Sequence, residues 1–485
     1  SVKWGGWVPG ERIMSGVSFP KQTRKRPAGA YRSKGLTRLM VLLMILPGPL
    51  VAQRDTVPAP RPRVVMALTQ TLALNVIVNR LDVWARDRDW ARVTPHTWSS
   101  NLKYGWAWDE DGFQENVFAH PYHGSLYFNA ARANGVDFFA SIPITLFGSW
   151  TWEYFGETER PSLNDFLLTS LGGVTLGEMF HRSAATIRDN TEVGFKRTMR
   201  ELVAVPVDPM GSLNRLFRGG WGRVGPNPAA HDPDAYVLRM SAGARFARDF
   251  MNDSVASVGA LQLDVLYGDA FAGRYEMPFD VFSLRLLVST YTGLTTLEAT
   301  GQLYGRNLND STARIRHTLA VNQRYDYQRN PAQSFGGQSV EVGINSRWRL
   351  GNRDRGAFAI RTALFLDGII LGAIDAPGTG VGLRDYDFGS GGGIRWEASL
   401  ERHAERFLTL HGRVDYMHTV SGTAADHMVN TSGIELFVPI GRRLGVAAQT
   451  YLFDRESHYR TRPPDRRDFP EARFMVVWTR AASKP

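Results

Sequence analysis

From about residue 236 onward the chain alternates with period two, and nothing else in it restricts the fold so strongly. Leu297, Ala299, Gly301, Leu303 and Gly305 share one face of their segment, while Glu298, Thr300, Gln302, Tyr304 and Arg306 share the other. Val340, Val342, Ile344, Trp348 and Leu350 oppose Glu341, Asn345, Arg347 and Arg349 in the same way. Leu408, Leu410, Val414 and Tyr416 oppose Thr409, His411, Arg413 and Asp415. Successive side chains of a strand point to opposite faces, so each segment presents one apolar and one polar surface. Strands are expected near 236–246, 255–268, 280–291, 295–308, 313–327, 338–350, 357–372, 386–402, 407–419, 427–440, 444–458 and 472–480. Several exceed ten residues, which is long for a soluble sandwich and suits strands tilted across a bilayer, apolar outside and polar within. The fold class expected is α+β: an N-terminal helical module followed by an antiparallel, transmembrane-type β-barrel of about 12 strands. The competing fold is a secreted sandwich whose core is the apolar stripe. Thr292-Gly293 and Gly441-Arg442-Arg443 read as tight turns, and 373–385 and 459–471 as long loops, the rhythm of short periplasmic turns and longer outer ones. The last strand, Phe474–Trp478, is followed by Thr479–Pro485, whereas barrels of this type commonly finish on an aromatic residue.

An export route is written near the start. A basic stretch leads into the apolar run Leu39–Leu46, a Pro47-Gly48-Pro49 break, and Leu50-Val51-Ala52, the layout of a secretory signal peptide cleaved after Ala52. The apolar run is too short for the roughly 20 residues of a membrane helix. The chain opens on Ser1, and Met14 and Met40 are candidate true starts. Residues 1–52 hold nine Lys and Arg against Glu11, so 8 of the net +10 belongs to the leader and +2 to the remainder. That removes the main support for nucleic-acid binding. The absence of cysteine excludes a disulfide scaffold, cysteine-ligated metal and thiol catalysis. Beyond the leader the longest uncharged stretch is taken as Phe138–Trp152, short of a span, so no helical anchor is expected.

The organisation expected is an upstream extension and signal peptide over 1–52, a flexible Pro/Arg linker over 53–63, a helical module over 64–218, a Gly/Pro-rich linker over 219–234 and the barrel over 235–480. Within the module, Val64–Leu81, Phe138–Phe155 and Leu163–His181 read as helices, the last two an antiparallel pair joined by Gly156–Ser162. Pro161 and Ser162 with Asp165 three residues on resemble a capping box, and Gly172, Gly173 and Gly177 would admit another backbone. Segments this apolar need partners on most sides, so the module is expected to dock on or inside the barrel.

The run from Asn116 to Arg132, with His120-Pro121-Tyr122-His123-Gly124-Ser125 at its centre, resembles the bacterial domain of unknown function 3943 family. Gly148-Ser149, Trp152-Glu153, Pro161-Ser162, Asn164-Asp165, Leu171-Gly172-Gly173 and Leu176-Gly177-Glu178 continue the likeness, which covers about residues 100–190. The resemblance implies an envelope protein of Gram-negative-type bacteria and assigns no catalytic roles.

The polar residues standing in this apolar module are His120, His123, Glu153, Asp165, Glu178 and Arg182. Buried charges are costly unless paired, so such a set is a structural network or a site. Glu153 and Asp165 should approach across the hairpin, where two carboxylates and an imidazole could work as general base and acid on a lipid ester or phosphodiester. A metal would take His120 and His123 with Glu153 or Asp165. Against these stand plain structural roles: Asp165 as a cap, Glu178 and Arg182 as an i,i+4 ion pair, and the histidines as backbone partners at a helix entrance. There is no Gly-x-Ser-x-Gly, His-Glu-x-x-His or Walker-type loop, and His427 and Ser432 fall on opposite faces of one strand. No cofactor and no metal are therefore assigned. The function expected is a structural, binding or transport role in the bacterial outer membrane, with outer-membrane lipid and the barrel-assembly machinery as partners; the alternative is a lipid-modifying hydrolase with its site in the module.

Overall fold

The computed structural model describes residues 61–483 except 250–253, 273–274, 291, 311–312, 352–357, 377–383 and 403–404. The expected signal peptide lies outside the described residues. Among the described residues, seven α-helices come first: α1 (Val64–Trp84), α2 (Pro95–Tyr104), α3 (His120–Ala133), α4 (Phe138–Phe155), α5 (Leu163–Ile187), α6 (Gly194–Ala204) and α7 (Pro209–Phe217). Twelve strands come after them: β1 (Ala235–Asp249), β2 (Ser254–Tyr267), β3 (Phe282–Ser289), β4 (Gly293–Asn307), β5 (Ile315–Arg329), β6 (Ser334–Arg349), β7 (Ala359–Asp375), β8 (Tyr386–Arg402), β9 (Glu405–Ser421), β10 (Ala425–Pro439), β11 (Leu444–Tyr459) and β12 (Asp465–Ser483). Each pairs antiparallel with its chain neighbours, and β1 closes on β12 in register Ala235↔Ser483 to Ala247↔Glu471. Closure leaves no unpaired edge, which alone lets a sheet stand in lipid.

β12 begins at Asp465 and runs to Ser483, so it absorbs much of the expected 459–471 loop and the residues after Trp478. The expected rhythm of turns does not hold. β1 starts and β12 ends at one mouth, here the near end; Thr292-Gly293 and the 376–385 connection both lie at the far end, one short and one long.

Faces follow the alternation. Leu408, Leu410, Val414, Ile434, Leu436 and Val476 point outward and are exposed, whereas Thr409, Asp415, Glu341 and Arg473 point into the lumen and are buried. One assignment changes along β4. A bulge between Gln302 and Tyr304 adds a residue and inverts the alternation beyond it, so Tyr304 lies on the outer face and Gly305 turns inward against Tyr275.

The lumen is filled by the barrel's own side chains. Arg285 on β3 forks onto Glu435 on β10 (2.6 and 3.0 Å), reaching across the barrel. Arg413 on β9 reaches Asp326 on β5 (3.1 Å). Near the far end Arg455 on β11 holds Asp375 on β7 (2.7 Å). The near mouth is entered by the β2–β3 connection, whose Phe271 ring sits under the guanidinium groups of Arg347 and Arg361 while Arg316 donates to its carbonyl (2.7 Å). A cavity of about 200 Å³ remains between the charged rows.

The helical module lies against the outside of the wall from β2 to β8, not in the lumen. Phe113, Val117, Phe138, Leu168 and Met179 form one apolar cluster with the outward Tyr267, Leu297, Ala299, Tyr325, Tyr327 and Phe388. The Tyr325 hydroxyl donates to Val117 O (2.7 Å), and Gln323 Nε2 to Leu171 O (2.9 Å). Polar crowding inside the barrel leaves no room for a plug, and the aromatic outer faces of these strands supply the apolar surface that the helices lack among themselves. α3 crosses α5 at Gly124 and Gly173: a Cβ on Gly124 would lie 1.8 Å from Thr169 O. The close approach expected at Gly173 is thus present, whereas Gly172 faces Pro121 and Gln338 and Gly177 faces the Phe128 ring.

Candidate functional site

α4 and α5 form the expected antiparallel pair, and the turn between them builds the most charged part of the module. Ser162 is the N-cap of α5, its hydroxyl accepting from Asp165 N (3.2 Å). The cap is not the reciprocal box that the sequence suggested. Ser162 N instead donates to Glu153 Oε2 (2.8 Å), so a carboxylate from the preceding helix fills the place of the third-residue side chain. Asp165 accepts from Asn164 Nδ2 (2.8 Å), and Asn164 Oδ1 accepts from Asp109 N (2.9 Å) and from the Ser162 hydroxyl (2.9 Å).

His120, at the start of α3, enters the same group. Its Nδ1 lies 3.1 Å from the Thr169 hydroxyl and its Nε2 3.9 Å from Asp165 Oδ1. Two loop segments absent from the sequence-derived set close the cluster: Asp109 and Asp111 before α3, and Glu157 after α4. Burial pushes Glu157 up from 4.5 to about 8, with the Asp165 charge adding to the rise and His120 opposing it. Asp111 rises to about 6 through desolvation and the neighbouring Asp109 carboxylate. Glu157 is held by Trp152 Nε1 (2.7 Å). The run Asp109-Glu110-Asp111 and the pair Glu157 and Glu159 were the sequence signal for this cluster.

The other three residues of the expected set stand elsewhere. His123 packs its ring on Tyr127 and edge-on to Trp152, and its Nε2 is buried without a partner. It does not join His120 in a ligand set: among the described residues no group of three or more His, Asp or Glu is placed to hold a metal ion. Glu178 and Arg182 pair at 2.7 Å, as their spacing suggests, and Arg132 grips the same carboxylate at 2.8 Å. Arg182 also reaches Asp280 Oδ1 (2.9 Å) and Pro278 O (2.9 Å) in the β2–β3 connection. That connection straddles the rim, with Phe271 in the mouth and Phe279 outside against Phe138 at 5.6 Å. Glu178 and Arg182 therefore fasten module to barrel.

A second constellation lies in the far end of the lumen. His427 Nδ1 is 2.9 Å from the Ser457 hydroxyl, and Nε2 is 3.7 Å from Asp387 Oδ2 and 3.2 Å from the Thr419 hydroxyl. His427, Ser457 and Asp387 have 0% exposure, so no substrate meets them in this conformation. The hydroxyl beside His427 belongs not to Ser432 of its own strand but to Ser457, supplied by the pairing partner β11.

Residues 105–210 match the family described as Domain of unknown function (DUF3943). No curated protein matches the chain. Among solved structures, the NanC porin is similar over 50% of this chain and 98% of its own, at 12% identity and a TM-score of 0.28. An outer membrane channel from Pseudomonas putida F1 is similar over 50% of this chain and 94% of its own, at 11% identity and a TM-score of 0.22. OmpT, an outer membrane protein of Vibrio cholerae, is similar over 51% and 98%, at 6% identity and a TM-score of 0.18.

Proposed function

We propose that the protein is exported to the bacterial outer membrane and serves there as a structural or binding component with a closed barrel, not as an open channel. The observation that carries this is the bracing of the lumen by Arg285–Glu435 and Arg413–Asp326, with the Phe271 loop in the near mouth. Charged pairs that span a lumen exclude solute unless they part, and each partner is held in place by the desolvation cost of leaving the other unpaired. The test begins with fractionation and boiling-dependent gel mobility, then conductance in planar bilayers. The expected result is outer-membrane partition with a mobility shift, no steady conductance for the natural chain, and conductance in an Arg285→Ala/Glu435→Ala double variant. A soluble protein without a shift would overturn the membrane assignment, and steady conductance by the natural chain would favour transport.

A lipid hydrolase is the second reading, favoured by one observation: hydroxyl, imidazole and carboxylate succeed one another from Thr169 through His120 to Asp165. His120 could draw the hydroxyl proton as general base. Thr169 is 2% exposed and the carboxylate stands beyond hydrogen-bond range, which makes this the weaker of the two. Lipid turnover by the natural chain that Thr169→Val abolishes, with the mobility shift intact, would raise it to first place.

A further inference from the structure

Two helices of the module, α1 and α6, turn polar side chains inward and apolar ones outward. Along α1 the residues turned toward the other helices are Ala67, Thr71, Asn75, Asn79 and Asp82, a stripe repeating every four residues and then three. Asn75 Nδ2 donates to Gly148 O (3.1 Å) and Thr151 Oγ1 (2.9 Å), and its Oδ1 accepts from the Tyr127 hydroxyl. Asn79 Nδ2 donates to Ala91 O (2.8 Å) and Gly156 O (2.9 Å). The face turned away carries Val65, Leu72, Val76, Ile77, Leu81 and Trp84, all exposed, with Thr69 bonded to the backbone of its own helix and Arg80 one turn from the helix end, where its long side chain can reach the interface. A helix on a water-facing surface has the opposite distribution. α6 repeats the inversion in part, with Arg197 and Glu201 buried and Phe195, Met199, Leu202 and Val203 exposed beside Lys196 and Thr198. Glu201 meets Arg188 at 3.6 Å and Arg197 at 3.5 Å.

The position of the module accounts for the inversion. α4 starts beside Phe279 at the near end of the barrel and stops beside the loops that Arg384 and Tyr386 hold at the far end. α1 runs alongside it in the same direction, Ala67 clustering with Ile144 and Asn79 reaching Gly156. Its 21 residues rise about 31 Å, close to the roughly 30 Å thickness of a bilayer's hydrocarbon layer. Arg61 and Arg63 stand before it, and Trp84, Arg86 and Arg88 at its other end, the residue types that anchor a span at both interfaces. The uncharged run here, 64–79, is longer by one residue than Phe138–Trp152, the run expected to be the longest. Small residues and amide side chains between helices, with apolar groups outward, are how helices associate where no water drives them together.

We propose that the outer face of the module contacts lipid acyl chains and that α1 crosses the bilayer beside the barrel. This rests on the barrel standing in a membrane, as proposed for the protein's function. The occupant is lipid because the module is seated on the same outer wall whose uncovered strands carry the exposed Leu, Ile and Val belt, so the two apolar surfaces are continuous.

The chain has no cysteine, which makes single-cysteine placement clean. Val76→Cys would be compared with Leu410→Cys on the bare wall and Glu159→Cys in the far-end loop, each checked for the heat-dependent mobility shift. Isolated membranes are treated with an impermeant maleimide, and a nitroxide on Val76→Cys is probed with oxygen and a water-soluble nickel chelate. The expected result is labelling of Glu159→Cys alone until detergent is added, with the nitroxide at least several-fold more accessible to oxygen than to nickel. Labelling at Val76→Cys with Leu410→Cys protected would overturn the inference and leave the barrel standing. Labelling of both would overturn the two together. A nitroxide shielded from oxygen as well as nickel would mean that protein, a second copy or another chain, covers α1, and would also overturn it.

Discussion

The wall of the barrel has a covered half and a bare half, and their outward residues differ in kind. On the bare half, β9 to β12, the outward positions are bulky aliphatics such as Leu408, Leu410, Ile434, Leu436, Val446 and Val476. Under the helices aliphatics such as Val265, Leu284 and Leu297 persist, but small residues and rings stand among them: Ala299, Gly301, Gly336 and Ala373 beside Tyr325, Tyr327 and Phe388. A Cβ on Gly336 would lie 2.6 Å from Val117 Cγ1, so the wall is shaved there to admit a helix. Even Gln323 is admitted on the outer face, because a helix carbonyl meets its amide. Lipid asks only that a surface be apolar, whereas a packed helix asks for shape and can satisfy polar groups.

Charges placed on the two halves should break them differently. Ala299→Arg puts an unpaired cation into a dry protein interface and should cost about 3–5 kcal/mol, detaching the module and exposing it to protease while the barrel's mobility shift survives. Leu410→Arg meets lipid instead and should cost about 2–4 kcal/mol, seen as a lower yield of the heat-modifiable form. If the two variants gave the same protease pattern, the covered and bare halves would not be distinct. Gly124→Ala pushes a methyl group against the α5 backbone and should lower module stability by about 1–3 kcal/mol in denaturant titration, leaving the barrel midpoint unchanged. The pH response of the module should be smaller. Glu157 and Asp111 both hold protons more tightly folded than unfolded, so stability falls as pH rises from about 4.5 to about 8. Glu157→Gln should lessen that slope, and a slope unchanged by it would move the titration elsewhere. Thr409→Arg and Gln302→Arg, on the lumen side, should change yield least, by under about 1 kcal/mol, since both enter a polar interior.

The barrel was legible because period two survives wherever one face meets lipid and the other meets charge. α4 was read to the residue, Phe138–Phe155, from an apolar run bounded by Asp137 and Gly156, and Asp137 caps it through Ala140 N. The docking was not legible. Arg182 and Glu178 declare each other by spacing, but Asp280 lies 98 residues from Arg182, and no local pattern announces such a partner. His427 and Ser457 likewise meet only through the register of β10 with β11. The cluster around Asp165 was half read, since the helical members stood out against apolar neighbours while Asp109, Asp111 and Glu157 lay in loops where acids are ordinary. α1 was read as a helix ending at Leu81 and not as an inverted one, although Thr71, Asn75 and Asn79 recur every fourth residue.

That stripe also bears on how the chain would travel. A helix apolar on every side would be retained by the first membrane it met during export, well before any barrel could form. Near a helix centre an aspartate adds about 2.5–3.5 kcal/mol to the cost of insertion, and even off-centre an acid beside two asparagines weighs against lateral release into lipid. With Asn75 and Asn79 unpaired and the Asp82–Arg86 ion pair at its end, a lone α1 is a poor stop-transfer segment. Once α3 and α4 have taken up the amides, the same helix presents a mainly apolar side, with Arg80 near its end. On the export route and lipid contact proposed for the chain, the polar stripe would defer membrane residence until the module has folded, so that the outer membrane, and not the inner one, becomes its solvent.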